Sequence, residues 1–291
     1  MDEQTQIKKI EAALKKQNYL SAQSALLELY RKKPTFKLNY LLFLTYRGLN
    51  DANMATQIAE EQLSEYLTDN YCLELYLQEK IKAGRMLETE ILLKQLQPYM
   101  KTGEKKHFSA LLVQSYRKYQ EKNAAVLATC QKQFKHLGGY EPHEQENIFK
   151  KALMLDQKTY VLLAQRVLQD EDVRPLLRAN TFLNLKHLAV IKAVSVINPV
   201  NLIMQQIIPA EVQEITASSS FQALKKYLED DQQVPEDFKE NYLQDFQFKM
   251  MLLYPFYTEL DLAESRILYD SFVGKNQTQL SKWLQKAILA V

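Results

Sequence analysis

Residues 15–34 read Lys-Lys-Gln-Asn-Tyr-Leu-Ser-Ala-Gln-Ser-Ala-Leu-Leu-Glu-Leu-Tyr-Arg-Lys-Lys-Pro, and they give the first indication of a helical fold. A polar loop leads into an amphipathic run, and a proline closes the run, as at the end of a helix. In the segment before the loop, Ile7, Ile10 and Leu14 fall on one face of a helix. The sequence therefore predicts a helical hairpin whose first helix covers about residues 3–16.

The features of this hairpin return at a spacing of 33 or 34 residues. Small side chains, which let two helices cross closely, recur at Ala22, Ala55 and Thr89. The loop positions that precede them recur at the same spacing and are Gln17, Asn50 and Gly84. A period of this length predicts stacked helical hairpins, because each hairpin must bury its apolar face against a neighbour. A fourth, looser unit is predicted over residues 106–137.

This pattern resembles the tetratricopeptide repeat, which has an aromatic residue, a small residue and a terminal proline at these positions. Tyr19, Ala22 and Pro34 match them, whereas Gln17 stands where the repeat usually has glycine. The resemblance implies a right-handed α-solenoid over residues 1–139, with a concave groove lined by the first helix of each repeat. Those helices are expected at about residues 3–16, 37–49, 71–83 and 106–119.

A turn cluster, His-Leu-Gly-Gly-Tyr-Glu-Pro at residues 136–142, predicts a boundary between this solenoid and a helical region at residues 140–291. Two β-branched runs around an Asn-Pro turn predict a β-hairpin at about residues 190–208, on the helix before it. A continued helix is the alternative, but Pro199 would break it. The helices of this region are predicted at residues 143–154, 157–169, 173–188, 220–229, 236–253, 259–272 and 277–290.

The order of elements in the second region is similar to the C-terminal half of tetratricopeptide-type proteins of low-GC Gram-positive bacteria. The shared features are an R-x-x-x-F-L-x-L-K helix at residues 178–186, Ile-Pro-Ala-Glu-Val at 208–212 and Met-Leu-Leu-Tyr-Pro-Phe at 251–256. This resemblance implies a mainly α fold and a bacterial source. It brings no catalytic residues.

Composition narrows the classes of function. The chain has 291 residues and a net charge of +2, so it lacks the basic excess of a dedicated nucleic-acid or anionic-membrane binder. It has only 6 glycines, whereas parallel α/β enzymes use glycine at tight turns and phosphate loops. Cys72 and Cys130 are predicted to be reduced thiols packed in helices. The polar N-terminus and the absence of a long uncharged apolar run predict a cytoplasmic protein.

The sequence contains no motif of known chemistry. Gly274-Lys275 lacks the rest of a phosphate-binding loop, and no G-x-S-x-G nucleophile elbow occurs. The four histidines are not spaced as metal ligands, and the acidic clusters at residues 170–172 and 229–231 are predicted to be solvated at helix ends. We therefore expect no enzyme activity, no cofactor, no metal site and no catalytic residue.

Charge is distributed unevenly along the chain. Residues 102–139 hold seven Lys or Arg and two acids, whereas residues 189–291 hold nine bases and thirteen acids. The basic segment predicts a surface for an acidic peptide or for RNA. The alternatives are a solvated helix face, which the sequence favours, and attraction to the acidic segment within the chain.

The expected groove lacks the lysines and asparagines with which some tetratricopeptide grooves grip a C-terminal carboxylate. It offers tyrosine and arginine, the types most enriched at binding hot spots. The tyrosines could instead pack between repeats. The candidate partner-binding residues are Tyr40, Arg47, Glu74, Gln78, Lys82, Tyr116 and Arg117.

The leading hypothesis from sequence is a non-enzymatic scaffold or interaction module that binds a protein or peptide partner in the concave groove. The alternative is an RNA- or nucleoid-associated accessory protein that uses the basic segment at residues 102–139. The charge balance disfavours nucleic acid and membrane as partners. The sequence specifies neither the identity of the partner nor the oligomeric state.

Overall fold

Helices form most of this chain. The computed structural model describes residues 3–289, which contain fifteen α-helices and one antiparallel sheet of two strands. The prediction of a mainly α chain with one small β-hairpin is confirmed. The chain divides into two compact units, the first ending at Leu127 and the second beginning at Ala128. This division lies inside a helix, whereas the sequence analysis places the boundary at the Gly-Gly turn near residue 139.

In the first unit, helices that follow one another in sequence pack together from the first helix to the seventh. The eighth helix begins in this unit and extends beyond Leu127. Their bounds are α1 Glu3–Lys15, α2 Tyr19–Lys32, α3 Phe36–Gly48, α4 Ala52–Glu60, α5 Leu63–Thr68, α6 Asn70–Lys82, α7 Met86–Leu96 and α8 Thr102–Lys135.

Three loops of the first unit have the same backbone conformation. Their left-handed residues lie at the predicted loop positions and are Gln17 (φ 59°), Asn50 (φ 59°) and Gly84 (φ 79°). In each loop the next N–H donates to the carbonyl oxygen five residues earlier, which is a common way to end a helix. The small residues five positions after the left-handed ones are all buried, and these are Ala22, Ala55 and Thr89. The period read from the sequence is therefore a repeat of local structure.

The fourth predicted repeat differs from the other three. Helix α8 runs from Thr102 to Lys135 and is interrupted only at Asn123, where φ is −119° and ψ is 19°. The side chain of Asn123 donates to the carbonyl oxygen of Tyr119 over 2.9 Å. The loop expected in this unit is therefore reduced to a single non-helical residue.

The core of the first unit contains a polar side chain at its centre. Asn39 is fully buried, and its amide donates to the hydroxyl of Tyr30 (2.9 Å) and to the carbonyl oxygen of Ile58 (2.7 Å). The Tyr66 hydroxyl donates to Asn39 Oδ1 over 2.8 Å. Because buried polar groups are stable only when they are paired, Asn39 specifies how α2, α3, α4 and α5 pack together.

The second unit combines helices with the β-hairpin. Its elements are α9 Pro142–Ala152, α10 Gln157–Gln169, α11 Pro175–His187, β1 Val194–Ile197, β2 Met204–Ile207, α12 Ser219–Asp230, α13 Glu236–Leu253, α14 Leu262–Phe272 and α15 Gln279–Leu289. One core cluster joins α12 to α15 around Phe246, Tyr269 and Phe272. Trp283 of α15 is partly buried against this cluster.

The hairpin lies where it was predicted and pairs Val194 with Ile207 and Ile197 with Met204. β1 is largely buried and packs on α10, whereas the sequence analysis expected the helix that became α11. The short 3₁₀ turn Pro209–Glu211, which follows β2, packs on α11 instead. β2 is mostly exposed.

Two further sequence predictions concern the thiols and the membrane. Cys72 and Cys130 are both free and buried, as predicted, and burial raises the pKa of each thiol to about 11. In the described part of the chain, no helix has the length and apolar character needed to cross a bilayer.

Candidate partner-binding cleft

Four of the predicted partner-binding residues lie in one polar network on α3 and α6. Glu74, Gln78 and Lys82 follow one another at intervals of four residues, so they share one face of α6. Arg47 Nη2 donates to Gln78 Oε1 over 3.0 Å, and Gln78 Nε2 donates to Glu74 Oε1 over 3.1 Å. The ring of His107, on α8, lies 2.8 Å from Glu74 Oε2. The network therefore extends across three helices that the sequence analysis assigned to the groove.

The buried carboxylate of Glu79 joins Arg47 and Lys82 within this network. Glu79 is 1% exposed, and its Oε1 lies 3.3 Å from Arg47 Nε and 2.7 Å from Lys82 Nζ. A buried charge is retained only when opposite charges compensate it. Glu79 was not among the residues predicted from sequence. The signal that could have identified it is a charged residue one helical turn after Leu75, on an apolar face of the helix.

A cleft of about 630 Å³ opens between the C-terminal half of α6, the Asn50 loop and α8. Three lysines line it, Lys82 from α6 and Lys118 and Lys122 from successive turns of α8. Glu79 is the one carboxylate among its lining residues. Across residues 3–289, neither Lys118 nor Lys122 has a carboxylate within ion-pair distance, and both side chains are exposed. The cleft is therefore concave and has an excess of positive charge.

Of the seven predicted residues, Gln78 and Lys82 line this cleft, and the other five do not. Tyr40 is half-buried and stacks on Phe43 with 6.3 Å between ring centroids, and burial raises its pKa to about 12. Tyr116 is buried against Ile81 and Met86. Arg117 is exposed and pairs with Glu121 on the next turn. Tyr40 and Tyr116 thus make packing contacts of the kind that the alternative predicts, and the binding role of all seven residues stays a prediction.

A second charged cluster joins α4, α6 and α7. The Lys80 ammonium is nearly buried and lies 2.9 Å from Glu60 Oε1 and 3.1 Å from Glu88 Oε2. Arg85 pairs with the same two carboxylates. Burial opposes the charge of Glu60, but hydrogen bonds from Arg85 and Lys80 outweigh it and lower the pKa of this carboxyl to about 2. The cluster therefore contains two cations and two carboxylates whose charges compensate one another.

Within residues 3–289, no three histidine, cysteine, aspartate or glutamate side chains converge as a metal site requires.

Comparison with family models, with curated proteins and with solved structures gives no match to this chain. The resemblance to tetratricopeptide proteins therefore depends on the residues and loops described above. The cleft, with its charge and its lining residues, is the feature from which a function can be inferred.

Proposed function

We propose that this chain is a non-enzymatic protein–protein interaction module, built as a tetratricopeptide-like solenoid, that binds an acidic segment of a partner protein. The segment lies in the cleft between α6 and α8. The observation that carries the proposal is that three lysines line one cleft, which has a volume of about 630 Å³.

The repeated loops support the solenoid. Left-handed residues at Gln17, Asn50 and Gly84 follow α1, α3 and α6 and end these three helices in the same way. Helices α1 to α7 pack on their neighbours in sequence. Stacking of this kind is typical of repeat proteins, which use the first helix of each hairpin to form an extended binding surface.

The charges around the cleft support an acidic ligand. Lys118 and Lys122 have no ion-pair partner in the described chain, so they are available to carboxylates. Complementary charge also steers encounter and selects the partner.

The same basic helix could contact RNA, but its aromatic residues favour protein. Tyr116 is buried, and Tyr119 is half-buried and stacks on Tyr116, so neither is a fully exposed platform on which bases stack. RNA binding is therefore the outcome that would replace this proposal.

Fluorescence anisotropy tests the proposal with labelled peptides of alternating Glu and Leu, labelled peptides of alternating Lys and Leu, and a labelled oligouridylate. The cleft variant is Lys118→Glu/Lys122→Glu. Its matched control is Lys105→Glu/Lys106→Glu, which makes the same charge change at exposed positions of α8 that do not line the cleft. Circular dichroism confirms that both variants are folded.

We expect the acidic peptide to bind the native chain and to bind the cleft variant at least about tenfold more weakly, since reversed charges repel the ligand. The control variant should retain binding. Equal losses in the two variants would contradict a specific cleft. Oligouridylate binding that is lost in the cleft variant, without binding of the acidic peptide, would establish the RNA alternative.

A further inference from the structure

The β-hairpin of the second unit has an open edge. Its sheet contains only β1 and β2 in the described residues, so β2 has a single neighbouring strand. β1 is mostly buried, whereas Met204, Gln205 and Gln206 of β2 are exposed. An exposed strand edge presents unpaired N–H and C=O groups to which another strand can bond.

The register shows which backbone groups point outward. The Asn198 N–H donates to the Ile203 carbonyl oxygen just before β2 begins. In antiparallel pairs, hydrogen-bonded and non-hydrogen-bonded positions alternate. Met204 and Gln206 are therefore non-bonded positions, and their N–H and C=O groups point away from β1. No backbone partner for these groups occurs in the part of the chain that the structure describes.

A groove of about 590 Å³ adjoins this strand. It is lined by residues 205–208 of the hairpin and by residues 255–260, among which Pro255 and Phe256 are buried. Glu211 and Glu259 also line it, and no Lys, Arg or His does. The ion pairs of residues 3–289 include neither of these two glutamates, and both are exposed. The groove is therefore negatively charged beside an open strand edge.

Apolar side chains are exposed at the same end of the hairpin. Leu202 is 53% exposed, Ile203 is 57% exposed and Met204 is 47% exposed. An extended ligand that paired with β2 would gain main-chain hydrogen bonds from the strand and apolar contact from these residues. Its cationic side chains would meet the two glutamates.

We propose that β2 binds an extended, basic segment of a partner protein as a third strand, with its Lys or Arg side chains against Glu211 and Glu259. This site is independent of the cleft between α6 and α8. It depends on the open backbone of Met204 and Gln206 and on the charge of the groove. A second copy of this chain is a less suitable occupant, because symmetric pairing would bring the same two glutamates of each copy together.

Fluorescence anisotropy on the full chain tests the site with three labelled peptides. They are an alternating Lys-Val peptide, the corresponding Glu-Val peptide, and a Lys-Val peptide with N-methyl groups on the amides of one edge. The charge variant is Glu211→Lys/Glu259→Lys. Its matched control is Asp237→Lys/Glu240→Lys, which changes two exposed acids of α13 that do not line the groove.

We expect the Lys-Val peptide to bind, and the charge variant to weaken its binding at least about tenfold. N-methylation should have a similar effect, because it removes the donors that a third strand needs. The control variant and the cleft variant Lys118→Glu/Lys122→Glu should both bind as the native chain does.

Three results would overturn the proposal. The first is unchanged binding of the N-methylated peptide, which would exclude strand pairing. The second is an equal loss in the charge variant and its control. The third is a concentration-dependent dimer in analytical ultracentrifugation that Gln206→Pro abolishes, which would identify a second copy as the occupant.

Discussion

The ammonium group of Lys80 on α6 lies 2.9 Å from Oε1 of Glu60 on α4, and the lysine side chain is only 6% exposed. Glu88 lies 3.1 Å from the same nitrogen, and Arg85 contacts both glutamates. An ammonium group at this depth depends on its carboxylates, since an unpaired buried charge is strongly unfavourable. The stability of the first unit therefore depends on these acids remaining ionised.

The double substitution Glu60→Gln/Glu88→Gln removes both carboxylates and leaves Lys80 without an acid. We expect the free energy of unfolding to fall by about 3–5 kcal/mol, as when one side of a buried ion pair is lost. Urea denaturation followed by far-UV circular dichroism measures this change. Glu65→Gln, at an exposed position of α5, is the control and should alter stability by less than about 0.5 kcal/mol. Similar losses in the two variants would show that the cluster is not stabilising.

The same cluster predicts loss of stability in acid. The pKa of Glu60 is about 2 in the folded chain, below the usual 4.5, so the folded state binds this proton less tightly than the unfolded state does. The stabilisation that the Glu60 carboxylate contributes is therefore complete above pH 4.5 and decreases as the pH falls towards 2. Melting temperatures measured across this range should decrease more steeply in the native chain than in Glu60→Gln.

The two units can be followed separately in this experiment. Trp283 is the only tryptophan and lies in the second unit, so its fluorescence reports on that unit alone. Circular dichroism reports on both units. A transition that appears in circular dichroism but not in tryptophan fluorescence therefore belongs to the first unit. An acid transition that appears only in the fluorescence would contradict the role of Glu60.

The left-handed residue Gln17 gives a test of the repeated loops. A side chain at φ 59° is disfavoured, whereas glycine adopts this conformation without steric penalty. We expect Gln17→Gly to raise the free energy of unfolding by about 0.5–1 kcal/mol, and Gly84→Ala to lower it by about 1 kcal/mol. Asn50→Gly should have a smaller effect, because asparagine tolerates this region. Opposite signs for Gln17→Gly and Gly84→Ala in urea denaturation are the expected result.

The contact between Gly48 and Tyr19 gives a second test of helix packing. An added Cβ at Gly48, the last residue of α3, would overlap the ring of Tyr19 at the start of α2. Overpacking of this kind costs about 1–3 kcal/mol, so Gly48→Ala should lower the melting temperature. In the double variant Tyr19→Ala/Gly48→Ala the overlap is removed. Adding Gly48→Ala to Tyr19→Ala should therefore lower the melting temperature little further. Additive losses would show that the two residues do not interact.

Local signals in the sequence predicted most of the helices. The bounds of α10 and α13 agree with the prediction to the residue, because Asp156 caps the first and Pro235 precedes the second. The three repeated loops followed from small and loop residues at a constant spacing. Asn123 was different, because an interruption of one residue leaves almost no local signal.

The cleft was harder to predict, because its residues come from distant parts of the chain. Lys118 and Lys122 were recognised only as members of a basic segment, and Asn50 only as a loop position. Tertiary packing brings them near Lys82 and Glu79. Packing also decides that Tyr116 is buried while Arg117, its neighbour in sequence, is exposed, and residue type alone does not separate these two outcomes.

The repeated loops also indicate which segments could be deleted from this chain. Asn50 and Gly84 end α3 and α6 in the same backbone conformation, each followed by a donor to the carbonyl five residues back. A deletion of residues 51–84 would therefore join α3 to α7 through a loop of unchanged shape. A deletion of residues 18–50 would join α1 to α4 in the same way, because Gln17 has the same conformation as Asn50. The chain can therefore lose α4, α5 and α6 together without redesign of the turn that remains.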